Sequence, residues 1–227
     1  MEKTKSAKSG KAKKGSDNLK EKIVSAYIMY VLTQGSQPGS VYKFCLDLGI
    51  KEEEFYAFFG SFEALEKSIW RGFMEQTISG LKADASFEEF SAREKLLALC
   101  FTFIQVLNAN RSYLLLQLRD FKKAALAPAF LKQMKPLFDE FISSVLTQAK
   151  SSGEIATRPY LDQRYPDLFW VHFTFLILYW KDDDSAGFEN TDAFIEKSIN
   201  LAFDLIGKGA FDTAIDFAKF LYQSKMR

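Results

Sequence analysis

The chain has 227 residues, of which 48% are hydrophobic, 26% charged and 15% aromatic, the last supplied by 23 Phe, 9 Tyr and 3 Trp. That balance excludes a disordered chain and is long enough for one large core, or a small domain joined to a larger one. Cys45 and Cys100 have no CxxC partner, and the longest uncharged apolar run, Leu168 to Trp180, has 13 residues, which excludes a disulfide framework and a membrane span and fits reduced thiols in a soluble, cytoplasmic protein.

Charge is unevenly spread. The first 22 residues hold eight lysines against Glu2, Asp17 and Glu21, a net +5, so the remaining 205 sum to −4. Residues 1–16 have almost nothing apolar to bury and are expected to form a disordered basic tail, either a solubilising arm or a loose contact to a phosphate backbone. From about Asp17, Leu19, Ile23, Ala26, Tyr27, Tyr30 and Val31 fall on one helical face, and "TQGSQPG" stops the helix. Ser40 caps a second helix, "VYKFCLDL", which Gly49 ends after two turns. A short third helix is expected over Lys51 to Phe58, and Ser61 caps a longer one reaching about Leu81.

Ser86 to Glu89 has the form of a capping box, so the next long helix begins either there or at Ser91. Its sequence, "REKLLALCFTFIQVL", is apolar on two faces and must be buried from two sides. "SYLLLQLRDF" reads as a shorter helix, and Pro136 is expected to kink the long one that follows. "EIATRPYLDQRYP" reads as loop or short turns, "DLFWVHFTFLILYW" as a helix packed on several sides, and two further helices close the chain. With no β-alternation and no repeat, the fold class is all-α with about nine or ten helices.

Three helices in the first 60 residues, the second and third short and separated by "GIK", have the dimensions of a helix-turn-helix. From Lys22 to Trp70 the chain resembles the TetR family of transcriptional regulators. The resemblance is carried by Ala26 and Gly35 in the first helix, Ser40-Val41, Phe44-Cys45, Gly49-Ile50, Phe55-Tyr56, Phe59, Ser61, Glu63 and Leu65. It implies a helix-turn-helix domain over residues 17–65 and a helical ligand-binding and dimerisation domain over 66–227. It also implies a homodimer formed through about 166–181 and 190–206, operator DNA read by the second and third helices, and a small apolar ligand sensed in the larger domain. The DNA-contacting residues so implied are Ser40, Tyr42, Lys43, Lys51, Glu53 and Tyr56.

Two features depart from the family pattern. Phe62 stands where a phosphate-contacting lysine is usual, and residues 40–70 carry three lysines against six acids, a net −3. A negative reading head starts at a disadvantage for DNA, and of Glu52, Glu53 and Glu54 only one can accept from a cytosine amino group. A second reading therefore stands beside the regulator: a protein of the same fold that no longer reads DNA and binds a lipid, another hydrophobic ligand or a protein partner.

The aromatic residues of the larger domain suit a core or an apolar pocket, with Phe101, Ile104, Phe138, Phe141, Phe169, His172 and Phe173 as candidate ligand contacts. His172 is the only histidine and has no Ser, Cys or acid at helical spacing, so it reads as a core or pocket histidine. Asp182, Asp183 and Asp184 read as a solvated turn without metal-ligand geometry. No catalytic residues, metal or cofactor are expected.

Overall fold

The computed structural model describes residues 3–119, 129–207 and 209, with side chains from Asn18 onward. It holds ten α-helices and three short 3-10 turns, and no strand occurs among the described residues. No described helix is long and apolar enough to cross a membrane. The closing helix expected over 210–224, and the end of the one expected over "SYLLLQLRDF", lie outside the described residues.

Two compact units divide the chain: Met1–Trp70 with Asn110–Phe121, and Arg71–Ala109 with Lys122–Arg227. The first therefore runs past residue 65 and takes in a segment from the part of the sequence assigned to the larger domain. Its α1 spans Lys3–Gln34 and so begins inside the segment expected as a disordered tail, where lysine and alanine are good helix formers even without an apolar face. Ile23, Tyr27 and Val31, one turn apart, are buried. Gly35 ends the helix in the left-handed region at φ 70°, its N–H bonded to the Val31 carbonyl at 2.9 Å.

α2 is Val41–Leu48, with Ser40 accepting from the Lys43 N–H and Gly49 at φ 71° as C-cap. The Ile50 N–H returns to the Cys45 carbonyl at 3.0 Å and closes the turn. α3 is shorter than expected, Glu52–Tyr56, and α4 is Phe62–Ala83. α6, Arg111–Gln117, completes this unit: Tyr113, Leu114 and Leu118 are buried, and Gln117 Oε1 accepts from Trp70 Nε1 at 3.2 Å.

In the second unit α5 (Ala92–Ala109), α7 (Lys135–Ser152), α9 (Tyr165–Lys181) and α10 (Glu189–Ile206) pack together, and α8 is the single turn Pro159–Asp162. The choice left open by the sequence is settled at Ser91: its N–H donates to Glu94 Oε2 at 2.8 Å and its Oγ accepts from the Glu94 N–H at 3.3 Å, whereas Phe87–Glu89 is a 3-10 turn. Pro136 kinks nothing. It sits in the first turn of α7, where the missing N–H costs no helical bond, and the preceding Ala129–Leu131 is a separate 3-10 turn.

The acidic triplet after α9 also differs from expectation. Asp183 is buried, and its carboxylate accepts from the Ser185 N–H and Oγ and from the Thr191 N–H and Oγ, tying the α9–α10 connection to the first turn of α10. Burial works to raise its pKa, but these hydrogen bonds outweigh it and hold the carboxyl at about 2, below its ordinary 3.8. The folded state thus holds this proton less tightly than the unfolded chain. The stability it contributes is present above about pH 4 and lost as the pH falls through about 2. Asp183→Ala is expected to lower stability at neutral pH by about 2 kcal/mol in urea unfolding. The difference from the unsubstituted protein should shrink across that acid window; a constant difference would contradict it.

Candidate nucleic-acid interface and ligand cavities

Burial decides which residues of α2 and α3 face outward. Phe44 and Cys45 of α2 and Phe55 of α3 are buried, while Ser40, Tyr42, Lys43, Lys51, Glu53 and Tyr56 are all exposed. The three glutamates do different things. Glu54 Oε2 accepts from the Lys51 N–H at 2.9 Å and so caps its own helix. Glu52 is half-buried. Burial first, then the charges of Glu52 and Glu54, raise the Cys45 thiol. Glu53 is exposed with Tyr56, one turn away, and Glu54 is exposed as well, with its carboxylate held at the N-terminus of α3.

Phe62 is a core ring rather than simply a missing lysine. It is buried, stacks on Tyr27 at 5.4 Å and meets the edges of Phe44 and Phe55, each at 5.6 Å. Beside it, Pro38, Ser40, Val41, Tyr56, Ser61 and Glu63 line a concavity of about 560 Å³, where the N-termini of α2 and α4 converge. Ser40 Oγ accepts from the Lys43 N–H at 3.2 Å and Ser61 Oγ from the Ala64 N–H at 3.1 Å. Each hydroxyl keeps its own proton to donate outward, beside the positive end of a helix. In the sequence Ser61 reads as a helix cap and as part of the family resemblance, not as a DNA contact. The signal for a shared role was the repeated "GS" opening α2 and α4.

In the second unit the seven candidate ligand contacts do not line one described cavity. Ile104, Phe138, Phe169 and Phe173 are buried, with Phe173 packed on Phe103 at 4.7 Å and on Phe138 at 4.8 Å, and Phe101 is half-buried. Phe141 lines a cavity of about 250 Å³ with Ile78, Phe87, Lys95, Leu137 and Gln148. His172 lines an open groove of about 720 Å³ along α9 and α10, with Leu168, Phe175, Tyr179 and Phe194. Burial lowers the His172 pKa, leaving the ring neutral at pH 7. Its Nε2 lies 2.7 Å from Ser198 Oγ, a partner on another helix that local spacing could not reveal. The outer faces of these two helices expose Leu168, Phe175 and Tyr179, and Leu201 and Leu205.

Comparison with known proteins agrees with this architecture. A family model for the tetracyclin repressor-like C-terminal domain matches residues 95–221. No curated protein matches the chain. Among solved structures it is similar to a protein of unknown function from Rhodococcus sp. RHA1, at 14% identity and a TM-score of 0.55 over 84% of this chain and 96% of that one. A bacterial regulatory protein in the TetR family from Rhodococcus RHA1 gives 14%, 0.52, 85% and 98%. A candidate TetR family transcription regulator from Shewanella sp. PV-4 gives 14%, 0.50, 80% and 95%. At such identity the likeness is one of fold. With its helix-turn-helix unit and a family-model match over more than half its length, the chain belongs to the TetR family of transcriptional regulators.

Proposed function

We propose that the protein is a ligand-responsive transcriptional regulator that binds operator DNA as a homodimer, reading it through α2 and α3 and responding to a small apolar molecule in the second unit. The observation that carries this reading is the outward face of α2 and α3: Ser40, Tyr42, Lys43, Lys51, Glu53 and Tyr56 are exposed together, while Glu54 is engaged as a cap. With Glu52 half-buried and Glu54 engaged at its own helix end, Glu53 is left to accept from a cytosine amino group, which makes it compatible with DNA. Lys43 and Lys51 supply charge, and the hydroxyls of Ser40, Ser61 and Tyr56 with two helix N-termini supply neutral donors for phosphate oxygens. The exposed apolar stripes of α9 and α10 support pairing of two copies. A ligand acts by binding one spacing of the two heads more tightly than another.

The competing reading, a carrier that does not read DNA, rests on the net −3 of residues 40–70. Fluorescence anisotropy with the protein's own upstream DNA separates the two. The regulator gives binding that weakens linearly in log salt, and Lys43→Ala and Lys51→Ala should each flatten that slope by about one. Absence of salt-sensitive binding at low ionic strength would sink the regulator and leave the carrier.

A further inference from the structure

The 250 Å³ cavity of the second unit contains a buried lysine. Lys95, on the first turns of α5, is 8% exposed, and a lysine so placed needs partners for three ammonium protons. Gln148 Oε1 accepts one at 2.9 Å and the Glu88 carbonyl another at 3.3 Å. The Gln148 amide is oriented for this, because its Nε2 donates to the Phe90 carbonyl at 2.8 Å. The third proton has only the Glu88 carboxylate, at 3.7 Å, beyond hydrogen-bonding distance. The Phe87 ring lies beneath the ammonium, 5.3 Å from its centroid.

The remaining wall is mostly apolar, from Ile78, Leu137, Phe141 and Val145, with Lys82, Glu140 and Ser144 completing the lining. A buried ammonium whose third proton has only a distant, exposed carboxylate for a partner, beside a wall with apolar side chains, is suited to a second carboxylate at closer range. We propose that this cavity binds a small monocarboxylate with an apolar body, its carboxylate on Lys95 Nζ and its body against Phe87 and Phe141. This names the ligand class for the ligand-responsive reading above and rests on that reading.

Charge and size both select this class. Glu88 and Glu140 at the cavity leave no surplus positive charge for a dianion, and the volume is below the range usual for drug-sized ligands. The Glu88 side chain is 86% exposed; its contact with Lys95 is long and screened by water, so releasing it costs little. A ligand carboxylate inside the cavity meets the same ammonium at hydrogen-bonding distance and away from solvent, where a charge-assisted bond is stronger. Glu88 thus competes with the ligand for Lys95, and Gln148 is a positioning residue that keeps the ammonium aimed at the cavity.

The test is isothermal titration of the full chain at neutral pH with hexanoate and benzoate, against hexanamide and benzamide of nearly the same shape. The acids should bind at least about tenfold more tightly than the amides. Lys95→Met should abolish that preference, and Glu88→Gln, a change at an exposed side chain that leaves the core intact, should tighten acid binding severalfold. Equal binding of acids and amides, no acid binding at millimolar concentration, or unchanged affinity in Glu88→Gln would each overturn the proposal. Equal binding with altered operator affinity would leave the ligand-responsive reading standing without its charge class. Operator affinity that no apolar compound changes would remove that reading as well.

Discussion

Lysine in place of Phe62 is expected to destabilise the first unit severely rather than to add a contact with DNA. The ring is 7% exposed and touches three other rings, from α1, α2 and α3. Truncating such a residue to alanine costs about 3–5 kcal/mol. Lysine loses the same contacts and must also bury an unpaired ammonium or drag its stem out to solvent. Since whole domains are stable by only about 5–15 kcal/mol, this is a large share of the total. Phe62→Leu, which keeps an apolar side chain in place, should cost less than either. Guanidinium unfolding of the three variants should give costs that rise in the order Leu, Ala, Lys. A Phe62→Lys protein as stable as the unsubstituted one, with tighter DNA binding, would show that the aromatic packing is dispensable.

The second large effect is expected at the surface. Phe175 on α9 is 44% exposed on the apolar stripe proposed to meet a second copy. Phe175→Asp should leave the melting of the isolated subunit nearly unchanged. In a two-fold symmetric interface, however, one substitution appears twice, and each buried anchor removed weakens association by about 2–4 kcal/mol. Sedimentation velocity should then show monomer at concentrations where the unsubstituted protein is a dimer, with operator affinity falling alongside. A variant that remains dimeric moves the interface away from α9.

Most of the fold could be read from punctuation. Gly35 and Gly49 adopt the left-handed conformations that end α1 and α2, and Ser40 and Ser61 cap where their spacing placed them; these are local features, settled within three or four residues. What the sequence hid depends on contacts between distant segments. Three consecutive glutamates fan over about 200° of a helix, so composition alone does not say that Glu52 turns partly inward and Glu54 caps the helix while Glu53 stays free; the burial of Phe55 fixes the rotation. The role of Phe62 is hidden because the rings that surround it, Tyr27, Phe44 and Phe55, come from three other helices. Lys95 is hidden in the sequence for a related reason: a lysine at that position reads as solvent-facing. Its burial depends on Gln148, 53 positions later. The Ser198 partner of His172 is likewise 26 residues away, on the next long helix.

The inclusion of α6 in the first unit bears on how the protein is made. Tyr113 and Leu114 belong to that unit's core, and the acceptor for the Trp70 indole lies 47 residues further along the chain. The helix-turn-helix segment leaves the ribosome first, yet it cannot complete its core until α5, a helix of the other unit, has also been synthesised. At ordinary translation rates that interval is on the order of seconds, long compared with helix formation. During it, part of the apolar surface that α6 will cover stays open on the nascent chain.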